Sequence, residues 1–308
     1  MPASIYFKCK IWSLITKMKT KLYITFILLV FAASTCNMPA DQPEKKQPAS
    51  IQRDITYCTM GVVELKMDLY MPENITEPTP TAVYIHGGGW TNGNKSSTGG
   101  KDIRALTQAG FVVFSLDYRL APEYRFPAMI EDVKCAIRSI RAHAEEYNVD
   151  PDHIGAYGES AGGHLASLLG TSDKSAGFDV GEYLEYSSRV QAVIDMYGPA
   201  DFTVNFPGGY SRLKDKVFGG FDAALASPVT YISADDPPFL ILHGDQDKLV
   251  PFEQSWVFQK QLLSANVPVT LVIVKNAGHG FRPVNGEINP AREEITQMIV
   301  DFFNETLK

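Results

Sequence analysis

Three groups of residues in the sequence have the types and the order that nucleophilic catalysis requires. A serine lies between small residues at 158–162 (GESAG), glycines follow one another at 86–90 (HGGGW), and two loops, 243–247 (HGDQD) and 276–281 (NAGHGF), contain carboxylates and a histidine. A serine hydroxyl is a weak nucleophile until a base removes its proton, and a histidine base needs a carboxylate to fix its tautomer. Together these groups predict acyl transfer through a serine.

Ser160 lies where a strand-like run, 153–157, passes into a helix-like run, 161–170. A nucleophile held in a sharp, strained turn brings the residues two positions away close to the backbone, which favours Gly158 and Gly162. The amino terminus of the following helix favours the negative charge that develops during acyl transfer. We therefore predict that Ser160 is the nucleophile.

The glycine run directly follows the predicted strand 81–85. Three consecutive glycines can simply form a tight turn, but backbone without side chains also lets N–H groups approach a substrate oxyanion closely. In the second interpretation Gly88 and Gly89 donate from one side and Ala161 donates from the other. His86 is expected to fix the loop by hydrogen bonding.

An acid and a base are available beyond the last two predicted strands. Asp245 and Asp247 follow strand 238–243, and His279 follows strand 269–274. Ligand chemistry in such sheets lies beyond the carboxyl ends of the strands. The order serine, aspartate, histidine is that of α/β-hydrolases. A lone histidine between glycines would be a loop residue, but with the other two groups present His279 is predicted to be the base.

From residue 55 onward, strand-like and helix-like patterns alternate along the chain. Several strands are almost continuous apolar runs, which is typical of parallel strands covered on both faces. The alternation predicts one α/β domain whose mostly parallel, doubly wound sheet has helices on both faces. The predicted strands are 62–70, 81–85, 111–116, 153–157, 191–197, 238–243 and 269–274, and the predicted helices lie near 101–109, 127–147, 161–170, 253–265 and 290–306.

At most a small cap is expected over the site. The segments 171–189 and 201–233 are rich in Gly, Asp and Tyr and lack an amphipathic helix long enough to form a closed lid. An open, polar rim suits a short acyl group on a bulky sugar better than a buried fatty chain. The aromatic residues expected at this rim are Trp90, Tyr183, Tyr186 and Tyr210.

Residues 1–35 have the composition of a secretory signal. Lysines precede the apolar run 22–35, which is short for a membrane span, and small residues precede Cys36. Met18 is an alternative start, because the sequence after it already forms a complete signal. The segment AASTC resembles a bacterial lipobox, so we expect an exported lipoprotein with lipidated Cys36. Cleavage near Cys36 in an ordinary periplasmic or secreted protein is the alternative.

The signal is followed by a polar segment, 36–52, which is rich in Pro and Lys and has no apolar periodicity. This composition is typical of a flexible tether, which leaves residues 53–308 for the α/β domain. Within that domain Cys58 and Cys135 can form a disulfide or remain two buried thiols. We expect the thiols, because free cysteine is among the most buried residue types.

Charge and motif content limit the partners of the protein. The chain of 308 residues has a net charge of −7, and residues 1–35 contain five lysines and no acids, so that their removal would leave −12. An acidic surface disfavours nucleic acid and anionic membranes, so membrane contact is expected only through a lipid anchor. The sequence has no GxxxxGK[ST] motif and no metal-ligand spacing. We expect no cofactor, and the expected partner is a small ester or an acylated carbohydrate.

Six segments also carry a family resemblance: HGGGW, DYRLAPEYRFPA (117–128), GESAGGHLA, ASPVTY (226–231), HGDQDKLVP and GHGF. With them, residues 54–305 resemble the α/β-hydrolase esterases that have an HGGG oxyanion motif. More narrowly, they resemble the bacterial feruloyl and acetylxylan esterase-like branch related to the hormone-sensitive-lipase group. The resemblance implies an α/β-hydrolase fold with Ser160 as nucleophile and His279 as base. It also implies an oxyanion hole formed by Gly88, Gly89 and Ala161.

The resemblance favours Asp247 over Asp245 as the acid, because the acid of that family precedes a loop ending in Val-Pro, here residues 250–251. It implies a serine esterase that removes acetyl or feruloyl groups from carbohydrate such as xylan. A general short-chain carboxylesterase is the nearest alternative. A serine peptidase is a more distant one, because peptidases of the prolyl-oligopeptidase type usually carry a large propeller before the hydrolase domain. A non-catalytic carbohydrate-binding lipoprotein would not need all of these groups.

Overall fold

Eight strands form one sheet in the computed structural model, which describes residues 50–97 and 99–308. Their bounds are β1 Ser50–Met60, β2 Val63–Met71, β3 Thr79–Ile85, β4 Val112–Leu116, β5 Val149–Glu159, β6 Ala192–Met196, β7 Phe239–Gly244 and β8 Val269–Val274. The order across the sheet is β1-β2-β4-β3-β5-β6-β7-β8. Strand β2 is antiparallel to both of its neighbours, and all other pairs are parallel. The mostly parallel sheet is confirmed, whereas the predictions for residues 1–35, Met18 and Cys36 fall outside the described residues.

The parallel strands place their carboxyl ends along one edge of the sheet. Every residue of β4, β6 and β7 is buried, which explains why these strands are almost continuous apolar runs in the sequence. The glycine run follows β3, the serine segment follows β5, and the two loops follow β7 and β8. The three chemical groups therefore meet at the carboxyl edge.

The described residues form six α-helices, and all of them except the short fourth helix cover the two faces of the sheet. Their bounds are α1 Gly100–Gln108, α2 Ala128–Ala142, α3 Ala161–Thr171, α4 Tyr210–Leu213, α5 Glu253–Ser264 and α6 Arg292–Leu307. Side chains of α1 and α6 pack in one hydrophobic core, and those of α2, α3 and α5 pack in the other. The prediction of helices on both faces is confirmed. None of the helices in this part of the chain has the length and apolar character of a membrane span.

Strand β1 begins inside the segment predicted to be a tether, 36–52. Residues 50–52 pair with β2, so the α/β domain includes them. The first five residues of β1 are exposed at the edge of the sheet, which leaves no apolar pattern to identify a strand. A bulge interrupts the pairing at Asp54, whose φ is 57°, while Arg53 donates to Asp68 at 2.8 Å. The domain therefore begins before the predicted boundary at residue 53.

A disulfide joins Cys58 of β1 to Cys135 of α2, with Cα atoms 6.4 Å apart. The expectation of two free thiols is therefore wrong, although both residues are buried. The pairing depends on the packing of β1 against α2, a contact between elements distant in the sequence.

No closed lid lies between β5 and β7 in the described residues. Beyond α3, this region contains α4, a π-helical turn at Lys214–Phe218 and two 3₁₀ turns at Lys174–Ala176 and Pro228–Thr230. These elements are too short to enclose a site. The prediction of at most a small cap is confirmed.

Tyr183 and Tyr186 do not line the rim predicted for them. The ring of Tyr183 packs 5.4 Å from the ring of His143, directly after α2, and the N–H of Tyr186 donates to the Tyr183 carbonyl at 3.0 Å. Because α2 starts beyond the carboxyl end of β4 and runs back, its end lies at the opposite edge of the sheet. The third tyrosine, Tyr210, has a side chain outside the described part of the structure.

Candidate active site

Ser160 occupies the corner between β5 and α3 in a strained backbone conformation. Its φ of 54° and ψ of −114° are unusual for a residue with a side chain. Its N–H donates to the carbonyl of Met196 at 2.8 Å, which ties the corner to β6. A Cβ at Gly158 or Gly162 would clash with the carbonyl of Ile85. The end of β3, which pairs in parallel with β5 beside the corner, and the close approach of residues 158 and 162 to each other therefore explain why both are glycine.

His279 connects Ser160 to Asp247 in one hydrogen-bonded chain. Its Nε2 lies 2.9 Å from Ser160 Oγ, and its Nδ1 lies 2.6 Å from Asp247 Oδ2. With Nδ1–H donating to the carboxylate, Nε2 accepts from the serine hydroxyl. The arrangement can move a proton from Ser160 to His279 while Asp247 stabilises the resulting imidazolium.

The Asp247 carboxylate is kept ionised by its hydrogen bonds. Burial raises its pKa, but hydrogen bonds with His243 and His279 outweigh burial and hold the pKa of Asp247 well below its usual range. The other oxygen, Oδ1, accepts from the N–H groups of Leu249 at 2.8 Å and Val250 at 3.0 Å. The loop that ends at residues 250–251 therefore fixes Oδ1 and leaves Oδ2 to face His279.

His243 supports this carboxylate, although it received no role in the sequence analysis. It is fully buried at the end of β7, with Nδ1 2.6 Å from Ser255 Oγ. Its Nε2 lies 2.9 Å from the Val250 carbonyl and 3.5 Å from Asp247 Oδ2. The available signal was a histidine at the carboxyl end of an otherwise apolar strand.

Asp245, the other candidate acid, lies away from His279. Its side chain is exposed in a shallow cavity with Lys248 and Glu253, and its N–H donates to the Val274 carbonyl at 3.0 Å. The structure therefore brings Asp247, and not Asp245, to the histidine.

The glycine run passes directly beside the serine corner. A Cβ at Gly87 would lie 2.9 Å from the Glu159 carbonyl oxygen, so a larger residue would separate the two segments. The side chain of His86 holds the run, because its Nδ1 donates to the Gly87 carbonyl at 2.6 Å and its ring stacks on Tyr118 with centroids 4.2 Å apart. The expected role of His86 in fixing the loop is confirmed.

Backbone donors of this loop are available to a ligand. The Gly88 carbonyl accepts from the N–H groups of residues 91 and 92, whereas the N–H groups of Gly88 and Gly89 donate to no carbonyl in the described residues. Both glycines line a cavity of about 550 Å³ together with Ser160 and His279. Ala161 begins α3, where a backbone N–H has no acceptor within the helix. The N–H groups of Gly88, Gly89 and Ala161 can thus donate to the oxygen of a carbonyl group whose carbon Ser160 attacks.

Comparison with known families now identifies the chain. The BD-FAE family model matches residues 67–262, which include the glycine run, Ser160 and Asp247. The chain belongs to the BD-FAE family. His279 lies beyond the matched range, so its position beside Ser160 is an independent observation.

Relatives of this BD-FAE protein have names that describe esterases. The probable carboxylic ester hydrolase LipM of Mycobacterium tuberculosis is 36% identical over 227 residues, which are 68% of this chain and 51% of LipM. The chain spans about half the length of the first relatives it matches. Among solved structures, a truncated carbohydrate esterase from gut microbiota has 29% identity and a TM-score of 0.71, covering 85% of this chain and 99% of its own. A bifunctional GH43-CE protein of Bacteroides eggerthii has 32% identity and a TM-score of 0.73, covering 86% of this chain and 39% of its own. The fold is that of the α/β-hydrolase esterases.

A second cavity of the BD-FAE protein, of about 310 Å³, also opens onto Ser160. Trp90 lines it while being 4% exposed, and its indole N–H donates to His164 Nδ1 at 3.2 Å. The His164 Nε2–H donates to the Ala226 carbonyl at 2.8 Å, and burial lowers the pKa of His164 to about 4. His164 is therefore a neutral packing residue, and Trp90 both packs the loop and lines the site.

A buried pair lies behind His279 and was missed by the sequence analysis. The Tyr197 ring meets the His279 ring edge-on at 5.0 Å, and the φ of Tyr197 is 48°. The Tyr197 hydroxyl is hydrogen-bonded to Glu159, and burial together with Asp102 raises the pKa of Glu159. This pair limits the movement of the imidazole. In the described residues, no group of three His, Cys, Asp or Glu side chains is placed to hold a metal ion.

Proposed function

We propose that the protein is a serine esterase in which Ser160 is the nucleophile, His279 the base and Asp247 the acid. The single observation that supports this assignment best is the imidazole of His279 hydrogen-bonded to both other residues. The names of LipM and of the two solved neighbours agree with ester hydrolysis.

The proposed reaction transfers the acyl group to Ser160 and then to water. His279 Nε2 takes the Ser160 proton while Oγ attacks the ester carbonyl, and the N–H groups of Gly88, Gly89 and Ala161 stabilise the oxyanion. The carbon–oxygen bond to the alcohol breaks, and His279 returns the proton to the leaving alcohol. Water activated by His279 then releases the acid and restores Ser160.

The proposed substrate is a short acyl ester on carbohydrate, with acetyl favoured over feruloyl. The absence of a closed lid in the described residues supports an accessible, bulky alcohol group. The solved neighbour from gut microbiota, which is named as a carbohydrate esterase, supports the same substrate class. A general short-chain carboxylesterase remains the second candidate, because LipM is named only as a carboxylic ester hydrolase.

The test combines active-site variants with a series of substrates. Ser160→Ala should lower kcat with p-nitrophenyl acetate by about 10⁶ while leaving the thermal unfolding cooperative, and His279→Ala should have a nearly equal effect. Wild-type protein should release acetate from acetylated xylan and should hydrolyse p-nitrophenyl esters of eight or more carbons poorly. An optimum at eight carbons or longer without acetate release would refute the carbohydrate assignment. Cleavage of a peptide p-nitroanilide without ester hydrolysis would indicate a peptidase.

We also propose that residues 1–35 direct export and that Cys36 carries a lipid anchor. The disulfide between Cys58 and Cys135 supports an oxidising compartment, because such bonds are rare in cytosolic proteins. Cys36→Ala should move the protein from the membrane fraction to the soluble fraction and abolish palmitate labelling. Each buried methylene of an acyl chain contributes about 0.8 kcal/mol to anchoring. Labelling that persists in the variant would contradict the assignment.

A further inference from the structure

Two cationic side chains line the 310 Å³ cavity beside Ser160. Arg212 belongs to α4, and Lys216 belongs to the π-helical turn that follows it. No acidic residue lines this cavity, and neither cation forms an ion pair within the described part of the chain. The charge of the two side chains is thus free to meet a ligand.

The spacing of the two residues concentrates their charge on one face. Positions 212 and 216 are four residues apart, and residues at this spacing project from the same side of a helical segment. Like charges in that arrangement repel one another. Since neither side chain is ion-paired with a carboxylate of the described residues, a bound anion would relieve the repulsion.

The opposite face of this segment is anchored in the core. Val217 and Phe218 are buried, and the Val217 carbonyl accepts from the Phe126 N–H at 2.8 Å. The Phe218 ring packs edge-on against Phe202 with centroids 4.9 Å apart. The cationic face is therefore held toward the cavity by the packing of the residues that follow it.

The small size of the cavity means that an anion bound by Arg212 and Lys216 lies close to the ester that Ser160 attacks. Small-molecule sites are roughly 300–1,000 Å³, so a cavity of about 310 Å³ has room for about one sugar ring. Guanidinium and ammonium groups form strong, charge-assisted hydrogen bonds with carboxylates. This positively charged site contrasts with the net charge of the whole chain, which is −7.

We infer that this cavity selects an acylated saccharide that carries a carboxylate on, or next to, the acylated sugar, as uronic acid units do. Arg212 and Lys216 bind the carboxylate and thereby place the ester at Ser160. The inference rests on the proposed esterase function and specifies the substrate class of that same site.

The experiment compares an acetylated xylo-oligosaccharide that bears a glucuronic acid branch with the same oligosaccharide without the branch. At about 10 mM salt we expect kcat/KM to be about fivefold higher for the acidic substrate, and we expect this ratio to fall toward one near 1 M salt. Arg212→Gln combined with Lys216→Gln should reduce the ratio to about one. Arg212→Lys should retain most of it, and so should Lys214→Gln, because Lys214 is exposed on the same turn without lining the cavity.

Two further substrates separate the alternatives. Equal kcat/KM for the acidic and neutral oligosaccharides, or a ratio that survives in the double variant, would overturn the inference. If mono-p-nitrophenyl succinate is preferred over p-nitrophenyl butyrate while the saccharides are not distinguished, the carboxylate belongs to the acyl group and the saccharide assignment is wrong. If one of these outcomes is found and p-nitrophenyl acetate is still hydrolysed, only the inference about the substrate is wrong. If p-nitrophenyl acetate is not hydrolysed either, the proposed esterase function is wrong as well.

Discussion

Replacing Gly88 with alanine tests whether the glycine loop holds the oxyanion, and Gly89→Ala is the matched control. At position 88 the added Cβ would clash with the carbonyl of Asn92, whose carbon would lie 2.6 Å away, and φ is 117°. The turn closed by the hydrogen bond from Asn92 N–H to the Gly88 carbonyl, 3.1 Å long, must therefore open. At position 89 nothing lies within 4 Å of the added Cβ.

The two variants should differ in turnover rather than in folding. Loss of one oxyanion donor typically lowers kcat by about 10²–10³, or about 2.7–4 kcal/mol, so we expect this loss for Gly88→Ala. The φ of Gly89 is 61°, a left-handed conformation that costs an alanine roughly 1–2 kcal/mol but leaves the N–H in place. We therefore expect kcat of Gly89→Ala to stay within about tenfold of wild type.

The assay is kcat with p-nitrophenyl acetate at saturating substrate, with thermal unfolding of each variant measured in parallel. A fall in kcat without loss of cooperative unfolding assigns the effect to the site. Turnover of Gly88→Ala within about twofold of wild type would refute the assignment of this loop as the hole. Equal losses in both variants would show that the clash with Asn92 is not the cause.

Three further perturbations follow from the contacts. Asp247→Asn should lower kcat/KM by about 10⁴ because the imidazole loses its orienting carboxylate, whereas Asp245→Asn should stay within about threefold; the reverse result in the p-nitrophenyl acetate assay would exchange the two roles. The pKa of buried His164 is about 4 against about 6.5 unfolded, so the unfolded chain binds the extra proton and the free energy of unfolding falls by up to about 3 kcal/mol between pH 6.5 and 4. In urea denaturation at pH 7, 5 and 4, His164→Gln should remove this decrease in the free energy of unfolding. An unchanged dependence of the unfolding free energy on pH would contradict the prediction. Replacing both Cys58 and Cys135 with serine removes a link between positions 77 residues apart and should lower the free energy of unfolding by about 4 kcal/mol. An unchanged urea midpoint would contradict this prediction.

The position of the site was predictable because each reactive residue follows a strand that is easy to recognise. Strands β4, β6 and β7 are buried on both faces, and this burial produces the apolar runs seen in the sequence. Once strands run in parallel, their carboxyl ends share an edge, so the order of Ser160, Asp247 and His279 brings them together. The spacing alone left Asp245 open as the acid, because the turn after β7 determines which carboxylate faces the imidazole.

The features that could not be predicted depend on contacts between distant elements. Strand β1 is an exposed edge strand with a bulge at Asp54, so its own residues contain no apolar alternation. The Cys58–Cys135 bond requires that this strand pack on α2, which no local pattern encodes. The course of the segment with Tyr183 is set by α2 as well, since the Glu182 carbonyl accepts from Arg138 Nε at 3.1 Å.

The disulfide also determines how a pulling force would enter the domain. Residues before Ser50 lead into β1, an edge strand that could otherwise be unzipped from β2 one hydrogen bond at a time. At Cys58 the covalent bond transfers such a force to Cys135, in a helix packed against the sheet. A force on the N-terminal segment can therefore separate β1 from β2 only as far as Cys58. Beyond that point the force acts on α2 and on the sheet that carries Ser160.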